Sequence, residues 1–302
     1  MKQEKLDWLA DNPFYTKRFA FYIGRRCRSS SIQDVAKEHF LDWRTVKTLE
    51  MQYMREQIKR AGQLRPKVIG IDEISIRKGQ TYRIVVTDLD RRRAIWFGGK
   101  DRSEESMDGL FAFLGERSSK RVRLAVMDMW KPFRKSTNKK APQAAILFDK
   151  FHILMHLGDA LDKVRKQEYA KLDGEKRKFI KGQKYALLSH QENLQGSARS
   201  YVLKESFGQL WDYNREAWAR KFFENWRDQL KWQRLKPYEN FAEMIDTHWD
   251  GIAAYCKPEN KVPLGFVEGL NNKIRVIQRR AYGLRDEEYL RLKVLSCMLP
   301  EI

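Results

Sequence analysis

Apolar residues follow two different spacings along this chain, and the change from one to the other divides it into segments. Short runs rich in Val, Ile and Leu, bounded by charged residues, predict buried strands at residues 68–76, 82–90, 91–99, 122–128 and 144–149. Apolar residues at helical spacing over 104–116 and a helix-like stretch over 132–138 predict helices between the last three strands. The segments 13–60 and 151–261 have a mainly helical pattern.

The order of the central elements is three strands, a helix, a strand, a helix and a strand, which is the order of the ribonuclease H-like fold. We therefore predict an α/β protein with a ribonuclease H-like mixed five-stranded sheet, a large all-α insertion and a preceding helix-turn-helix. A Leu-Arg-Pro-Lys breaker at residues 64–67 marks the first boundary. The predicted divisions are a helix-turn-helix region, the first part of the core, the insertion and a C-terminal core helix, at 1–63, 64–157, 158–262 and 263–302.

The predicted insertion is rich in tryptophan. It contains five of the nine tryptophans, which are Trp211, Trp218, Trp226, Trp232 and Trp249. Trp211 and Trp218 are seven residues apart and share a face if one helix carries both. Because aromatic stripes usually mark burial, a tryptophan-lined core is favoured over a surface for stacking nucleic-acid bases.

The N-terminal segment predicts two helices separated by a short break. The first runs from residue 32 to about 39 with Ser31 as its N-cap, and the second runs from about 43 to 60. In a helix-turn-helix the second helix offers its N-terminal residues to the major groove of DNA, which makes Arg44 and Lys47 candidate DNA-binding residues. An ordinary helical hairpin has the same pattern, so the spacing alone leaves DNA reading open.

Charge favours an anionic partner. The chain has 60 Lys and Arg against 40 Asp and Glu, a net charge of +20 and a pI near 9.8, a balance most often associated with nucleic-acid binding. A merely basic or ribosome-associated enzyme is the alternative. The three widely spaced cysteines form neither a disulfide framework nor a CxxC zinc site. Without a long apolar segment or a signal-peptide pattern, we expect a soluble cytoplasmic protein.

Candidate chemistry begins with two apolar runs that each stop on an aspartate. VIGID at residues 68–72 ends on Asp72, and VRLAVMD at residues 122–128 ends on Asp128. A carboxylate at the end of a buried strand is costly unless it is paired or coordinates a metal. The two aspartates therefore suggest one shared site that needs a third acidic partner.

The predicted final helix, from residue 266 to about 282, offers that partner. Projected at 100° per residue, its apolar face consists of Phe266, Leu270, Ile274, Ile277 and Ala281. Glu268 falls nearly opposite that face, together with Asn271, Asn272, Arg275 and Arg279. A DNA phosphate backbone would suit the polar and basic candidates of this helix, which are Asn272, Lys273, Arg275, Arg279 and Arg280.

Three carboxylates can perform phosphodiester chemistry by holding hard cations. Mg²⁺ and Mn²⁺ take carboxylate oxygens as ligands, and two such ions can activate a nucleophilic oxygen and stabilise a leaving oxygen. An acidic triad is a weak signal by itself, because 40 acidic residues offer many triples. The strand-end context of Asp72 and Asp128 strengthens it. The chain has neither a GxSxG motif nor a GxxxxGK[ST] loop, which argues against a serine nucleophile and against ATP use.

With these residues in place, the chain resembles bacterial insertion-sequence transposases with a DDE catalytic core, of the ISL3 group. The resemblance covers nearly the whole chain. It lies in SIQDVAKEHFLDWRTVKTLE at 31–50, IGIDEISIRKG at 69–79, VMDMWKPF at 126–133, FDKFHI at 148–153 and FVEGLNNKIRVIQRRAYG at 266–283.

The resemblance implies that Asp72, Asp128 and Glu268 are the catalytic ligands of two Mg²⁺ or Mn²⁺ ions. It further implies hydrolysis at the ends of a DNA element and attack of the freed 3′-hydroxyl on target DNA, by a homo-oligomer assembled on DNA in the bacterial nucleoid. Asp149 and His152 match a D-x-x-H signature of related cores and are possible accessory residues. His152 would orient Asp149 or contact DNA, and a structural histidine is an equal alternative.

One feature departs from the family pattern. Family members usually begin with a cysteine-rich zinc-binding segment, whereas Cys27 is the only cysteine in the first 250 residues. The resemblance therefore implies a shortened N-terminus without that segment. Two other functions stay open: a non-catalytic DNA-binding repressor derived from a transposase, and a ribonuclease H-like nuclease.

Overall fold

A computed structural model describes residues 6–77, 81–171, 198–231, 235–263, 265–281, 284 and 286–302. The chain forms two compact units. Unit 1 comprises Met1–Ala125, Lys131–Ala144 and Gly265–Ile302, and unit 2 comprises Val126–Trp130 and Ala145–Leu264. Among the described helices, none is long and apolar enough to cross a lipid bilayer.

The N-terminal part of unit 1 is helical, as predicted. Its helices are α1 Lys17–Ser29, α2 Ile32–Glu38 and α3 Trp43–Arg60. Ser31 caps α2 by accepting a hydrogen bond from the backbone N–H of Asp34, and Asp42 caps α3. The apolar residues of α2 and α3 pack together in one buried cluster, which is formed by Val35, Ala36, Val46 and Leu49 with Ile32 packed against it.

The five predicted strands form one mixed sheet. They are β1 Val68–Arg77, β2 Thr81–Asp88, β3 Arg93–Gly98, β4 Leu124–Met127 and β5 Ala145–Phe148. Their order is β3-β2-β1-β4-β5, with β1–β2 and β2–β3 antiparallel. The α/β prediction of a mixed five-stranded sheet with many helices, as in a ribonuclease H-like fold, is confirmed.

The placement of Asp72 at a strand end is wrong. Asp72 lies within β1 and is paired with Val85 of β2. The strand continues because Ile74 and Ile76 extend the apolar alternation, and Ile74 is buried against the helices that cover the sheet. Asp128, in contrast, directly follows the last residue of β4, as predicted.

Unit 1 also contains α4 Glu104–Ser119, α5 Lys131–Lys140, α11 Gly265–Arg280 and α12 Glu287–Ser296. Leu270 and Ile274 of α11 and Leu290 of α12 pack with Ile74 and Val85 in one core cluster. The two C-terminal helices therefore cover one face of the sheet. The final helix was predicted to reach about residue 282, which lies outside the described residues.

The described residues of unit 2 are mainly helical. Its helices are α6 Lys150–Lys171, α7 Ala198–Phe207, α8 Glu216–Leu230, α9 Lys236–Thr247 and α10 Trp249–Ala253. Trp226 and Trp211 are buried, so the predicted tryptophan-lined core is confirmed for them, whereas Trp218 is 57% exposed. Trp211 lies in the 3-10 segment Gly208–Asp212 and Trp218 in α8, so they do not share one helix face. Trp232 lies outside the described residues.

Candidate active site and nucleic-acid-binding residues

The surroundings of Asp72 are set by the alternation of β1. Gly70, Asp72 and Ile74 point to the same face of the sheet, and α11 lies across that face. A Cβ atom at Gly70 would come within 2.7 Å of Cγ2 of Val267, so the absence of a side chain there allows the helix to approach closely. Ile74 packs with Leu270 one turn further along the helix.

The Asp72 carboxylate accepts hydrogen bonds on both of its oxygens. Its Oδ1 accepts the backbone N–H of Glu73 at 2.8 Å, and its Oδ2 accepts Nδ2 of Asn271 at 2.5 Å. Glu73 points to the opposite face of the strand, where it forms an ion pair with Arg102 at 2.6 Å. Asp72 is therefore anchored both by its own strand and by α11.

Asn271 is the residue of this site that sequence reasoning missed. The helical projection placed it with the outward polar residues, yet it is only 5% exposed and lies on the buried face with Leu270 and Ile274. Its Oδ1 is buried and has no hydrogen-bond partner among the described residues. The sequence feature that could have indicated the burial of Asn271 is its position directly after Leu270, at the edge of the apolar face of the helix.

Glu268 lies exposed in the first turn of α11, three residues before Asn271. Residues three apart on a helix are neighbours, with Cβ atoms roughly 5–6 Å apart. The structure therefore brings Glu268 to within one helical turn of the amide that contacts Asp72. Both carboxylates belong to unit 1. Across the residues that the structure describes, no group of three or more His, Cys, Asp or Glu side chains is arranged to hold a metal ion.

Asp128 belongs to unit 2. Its Oδ1 accepts the backbone N–H of Met129 at 2.6 Å, the same contact with the next residue that Asp72 makes. Asp149 directly follows the neighbouring strand β5, and its backbone N–H donates to the carbonyl of Met127 at 2.9 Å. Asp128 and Asp149 therefore mark the carboxyl ends of two adjacent strands.

The D-x-x-H pair forms a local structure at the start of α6. Asp149 is buried, and its Oδ1 accepts the backbone N–H of Phe151 at 3.0 Å, which makes it the N-cap of the helix. Its Oδ2 lies 3.3 Å from Nδ1 of His152. The aspartate and the histidine of the D-x-x-H pair are thus in contact with each other. A contact of His152 with DNA stays a prediction.

The two candidate DNA-binding residues of α3 differ in their contacts. Arg44 is exposed, and its guanidinium lies 5.3 Å from the ring centre of Trp43. Nζ of Lys47 forms an ion pair with Oδ2 of Asp286 at 2.6 Å, and this hydrogen bond holds the pKa of the Asp286 carboxyl below its usual range. Arg44 is therefore open to a ligand, whereas Lys47 is engaged within the chain.

The candidate residues of α11 form an exposed and mostly basic stripe. Its members are Asn272, Lys273, Arg275, Arg279 and Arg280. Two of them contact other parts of unit 1, since Lys273 donates to the carbonyl of Cys297 at 2.7 Å and Arg280 donates to that of Arg28 at 2.8 Å. The long side chains leave the stripe solvent-facing, as a phosphate-binding surface requires.

The cysteines do not have the character of nucleophiles. Burial raises the pKa of the Cys297 thiol to about 11, and it also raises the pKa values of Cys27 and Cys256. A reactive cysteine has a lowered pKa and an electropositive setting. The thiols therefore remain protonated near neutral pH.

A buried polar cluster joins α3 to α12 within unit 1. The carboxylate of Glu50, which is only 2% exposed, accepts hydrogen bonds from the hydroxyl of Tyr289 and from Nζ of Lys293. Burial raises the pKa of Glu50, and the two hydrogen bonds oppose that rise. The cluster joins α3, the second helix of the helix-turn-helix, to α12, one of the two helices that cover the sheet.

Two family models match the chain. One, described as a transposase model for the DDE type of the ISL3 family, matches residues 69–294. The other, described as the helix-turn-helix domain of transposase family ISL3, matches residues 4–53. The matches include both predicted aspartates, Glu268, the whole of α2 and the first part of α3.

Curated proteins with similar sequences carry related descriptions. The transposase for insertion sequence element IS1001 from Bordetella parapertussis is 32% identical over 309 aligned positions, covering 96% of this chain and 75% of that protein. The transposase for insertion sequence element IS1557 from Mycobacterium tuberculosis is 25% identical, covering 89% of this chain and 68% of that protein.

Proposed function

Because the chain belongs to the ISL3 family of transposases, we propose that it cleaves DNA at the ends of an insertion sequence and transfers the freed strand to target DNA. Asp72, Asp128 and Glu268 would be its catalytic residues. The observation that carries the proposal is the contact between Asp72 and Asn271, one helical turn from Glu268. It supports a shared role for β1 and α11, which are about 200 residues apart in the chain.

The donor groups suit Mg²⁺ or Mn²⁺. The three proposed ligands offer carboxylate oxygens, which are the ligands that hard cations prefer. Beside Asp72, the buried Oδ1 of Asn271 lacks a hydrogen-bond partner among the described residues and adds an oxygen acceptor. Two such ions, when bound, would supply activation of an oxygen nucleophile and stabilisation of the leaving oxygen.

The residues of the chain would contribute in different ways. Asp72 presents a carboxylate whose orientation is restrained by the N–H of Glu73 and the amide of Asn271. Glu268 is exposed and free to turn toward a phosphodiester from the surface of α11. Asp128, next to the end of β4, completes the proposed triad.

DNA binding would rest on the helix-turn-helix region and on the basic stripe of α11. Family membership implies DNA binding by these parts of the chain, and the net charge of +20 favours contacts with phosphate. We assign Arg44, Lys47, Asn272, Lys273, Arg275, Arg279 and Arg280 to this role. We also propose that the chain assembles as a homo-oligomer on DNA in the nucleoid. The proposed domain boundaries lie after residues 63, 157 and 262.

The test uses a labelled duplex that carries a terminal repeat of the element, with Mg²⁺ or Mn²⁺. We expect cleavage that chelation by EDTA abolishes, and loss of cleavage in Asp72→Ala, Asp128→Ala and Glu268→Ala. DNA affinity, measured by mobility shift, should stay close to that of the parent chain. Cleavage retained by a pure Glu268→Ala preparation would exclude the triad. Binding without any metal-dependent nicking by the parent chain would instead indicate a repressor.

A further inference from the structure

Asn271 differs sharply from its neighbour Asn272. Asn271 is 5% exposed, whereas Asn272 is exposed and accepts a hydrogen bond from Arg275 at 3.0 Å. Burial of a polar amide is unfavourable unless its hydrogen bonds are made inside the protein. In Asn271 the amide donor Nδ2 is satisfied, because it donates to the Asp72 carboxylate. The amide oxygen Oδ1 has no hydrogen-bond partner among the described residues.

Packing alone does not explain an asparagine at this position. The buried face of α11 otherwise carries Val267, Leu270 and Ile274. A leucine has nearly the same shape as asparagine, would fill the same space and would leave no buried acceptor unpaired. Replacing Asn271 by leucine would also remove one hydrogen-bond donor from the Asp72 carboxylate, so the value of the amide lies in that contact. The amide therefore has a role that an apolar side chain could not perform.

That role is visible at the other end of the hydrogen bond. Asp72 receives one donor from its own strand and one from α11, on different oxygens. Two donors from separate elements limit the rotation of the carboxylate. Such supporting contacts hold a ligand in its productive orientation before the cation arrives.

We propose that Asn271 is a positioning residue, which orients the Asp72 carboxylate for cation binding through the hydrogen bond from its Nδ2. This inference rests on the proposed function. Loss of a supporting residue of this kind typically lowers metal affinity or activity about 10–100-fold. The effect would arise through Asp72 and not through contact of Asn271 with the scissile bond.

The experiment compares Asn271→Leu, Asn271→Ala and the matched control Asn272→Ala in the full chain. Dissociation constants for Mn²⁺ are measured by electron paramagnetic resonance, DNA cleavage is measured on the terminal-repeat duplex, and melting is followed by circular dichroism. We expect both Asn271 variants to bind Mn²⁺ about 10–100-fold more weakly, with Asn271→Leu melting close to the parent chain. Asn272→Ala is the control for Mn²⁺ affinity and melting alone, and it should keep both at the values of the parent chain.

A structural role for Asn271 makes a different prediction, since Mn²⁺ affinity would then fall only in variants that also melt early. If Asn271→Leu binds Mn²⁺ and cleaves DNA as well as the parent chain does, the positioning role is overturned and the proposed function is left intact. If Asn271→Leu does not fold, Asn271→Gln, which keeps the amide donor, decides by regaining Mn²⁺ affinity relative to Asn271→Ala. If the parent chain neither binds Mn²⁺ nor cleaves, or if Asp72→Ala does both, the proposed function itself fails.

Discussion

Asp72 and Asp128 have similar sequence contexts and different supports. Each follows an apolar run, and each accepts the backbone N–H of the next residue through Oδ1. Asp128 stands just after β4, whose last residue, Met127, accepts the backbone N–H of Asp149 through its carbonyl. Asp72 lies inside β1 and is held by Asn271, which is 199 residues away. One carboxylate is thus positioned by local structure and the other by a long-range contact.

The largest expected effect tests what the two aspartates share. Asp72→Ala and Asp128→Ala should each reduce metal-dependent cleavage to background, because each would remove an oxygen ligand that the remaining pair cannot replace. Gel assays of cleavage and mobility shift on the same duplex measure activity and DNA binding separately. Substantial cleavage by either variant would show that the two residues are not equivalent ligands.

Gly70→Ala addresses the long-range support of Asp72. The new Cβ would lie within 2.7 Å of both Cγ2 of Val267 and Oγ1 of Thr87. Overpacking of this kind costs about 1–3 kcal/mol, and displacement of α11 should also reduce cleavage. Gly269→Ala is the matched control, since its Cβ meets nothing within 4 Å and removing a helical glycine stabilises by roughly 0.5–1 kcal/mol. Denaturant unfolding distinguishes the two, and equal stabilities would contradict the close approach.

Asp149→Ala addresses the local support beside Asp128. Loss of the N-cap of α6 should destabilise the protein by about 0.5–2 kcal/mol, as measured by urea unfolding. Asp149→Ser retains a capping oxygen and should restore most of that stability. If Asp149→Ser is as unstable as Asp149→Ala, the contact with His152 matters more than the cap.

The smallest expected effect concerns a second long-range contact, the ion pair between Lys47 and Asp286. Asp286→Asn keeps an oxygen to cap α12 and removes the charge that engages Lys47. We expect the variant to bind DNA more tightly at low salt. The plot of log affinity against log salt concentration should become steeper by the amount that about one additional phosphate contact contributes. Lys47→Ala should abolish this gain in the double variant, and an unchanged salt slope would show that Lys47 does not reach DNA.

The same ion pair has a defined pH dependence. Lys47 lowers the pKa of Asp286 in the folded chain, so the pair contributes its stability above the usual carboxyl range. That contribution is lost as the pH falls through the lowered pKa. Nuclear magnetic resonance should give a lower pKa for the Asp286 carboxyl in the parent chain than in Lys47→Ala.

The elements of this fold could be predicted because their signals are local. The Ser31 cap and the apolar spacing of Val35 and Leu49 predict α2 and α3 within a residue of their observed ends. The strand predicted at residues 68–76 already extends beyond Asp72, so the error was to place Asp72 at a strand end from the apolar run alone, without Ile74 and Ile76, which continue the strand. The burial of Asn271 and the engagement of Lys47 depend on partners about 200 residues or more away, which spacing along one helix does not show.

The buried cluster around Glu50 has a consequence for folding cooperativity. Removal of the Lys293 side chain by substitution would leave the Glu50 carboxylate buried without its cationic partner. Breaking such a pair costs roughly 3–5 kcal/mol, a large part of the 5–15 kcal/mol that is typical of a whole domain. Helices α1, α2 and α3 and the strands of unit 1 should therefore melt in a single transition, and removing the last helix should unfold the N-terminal helices with it.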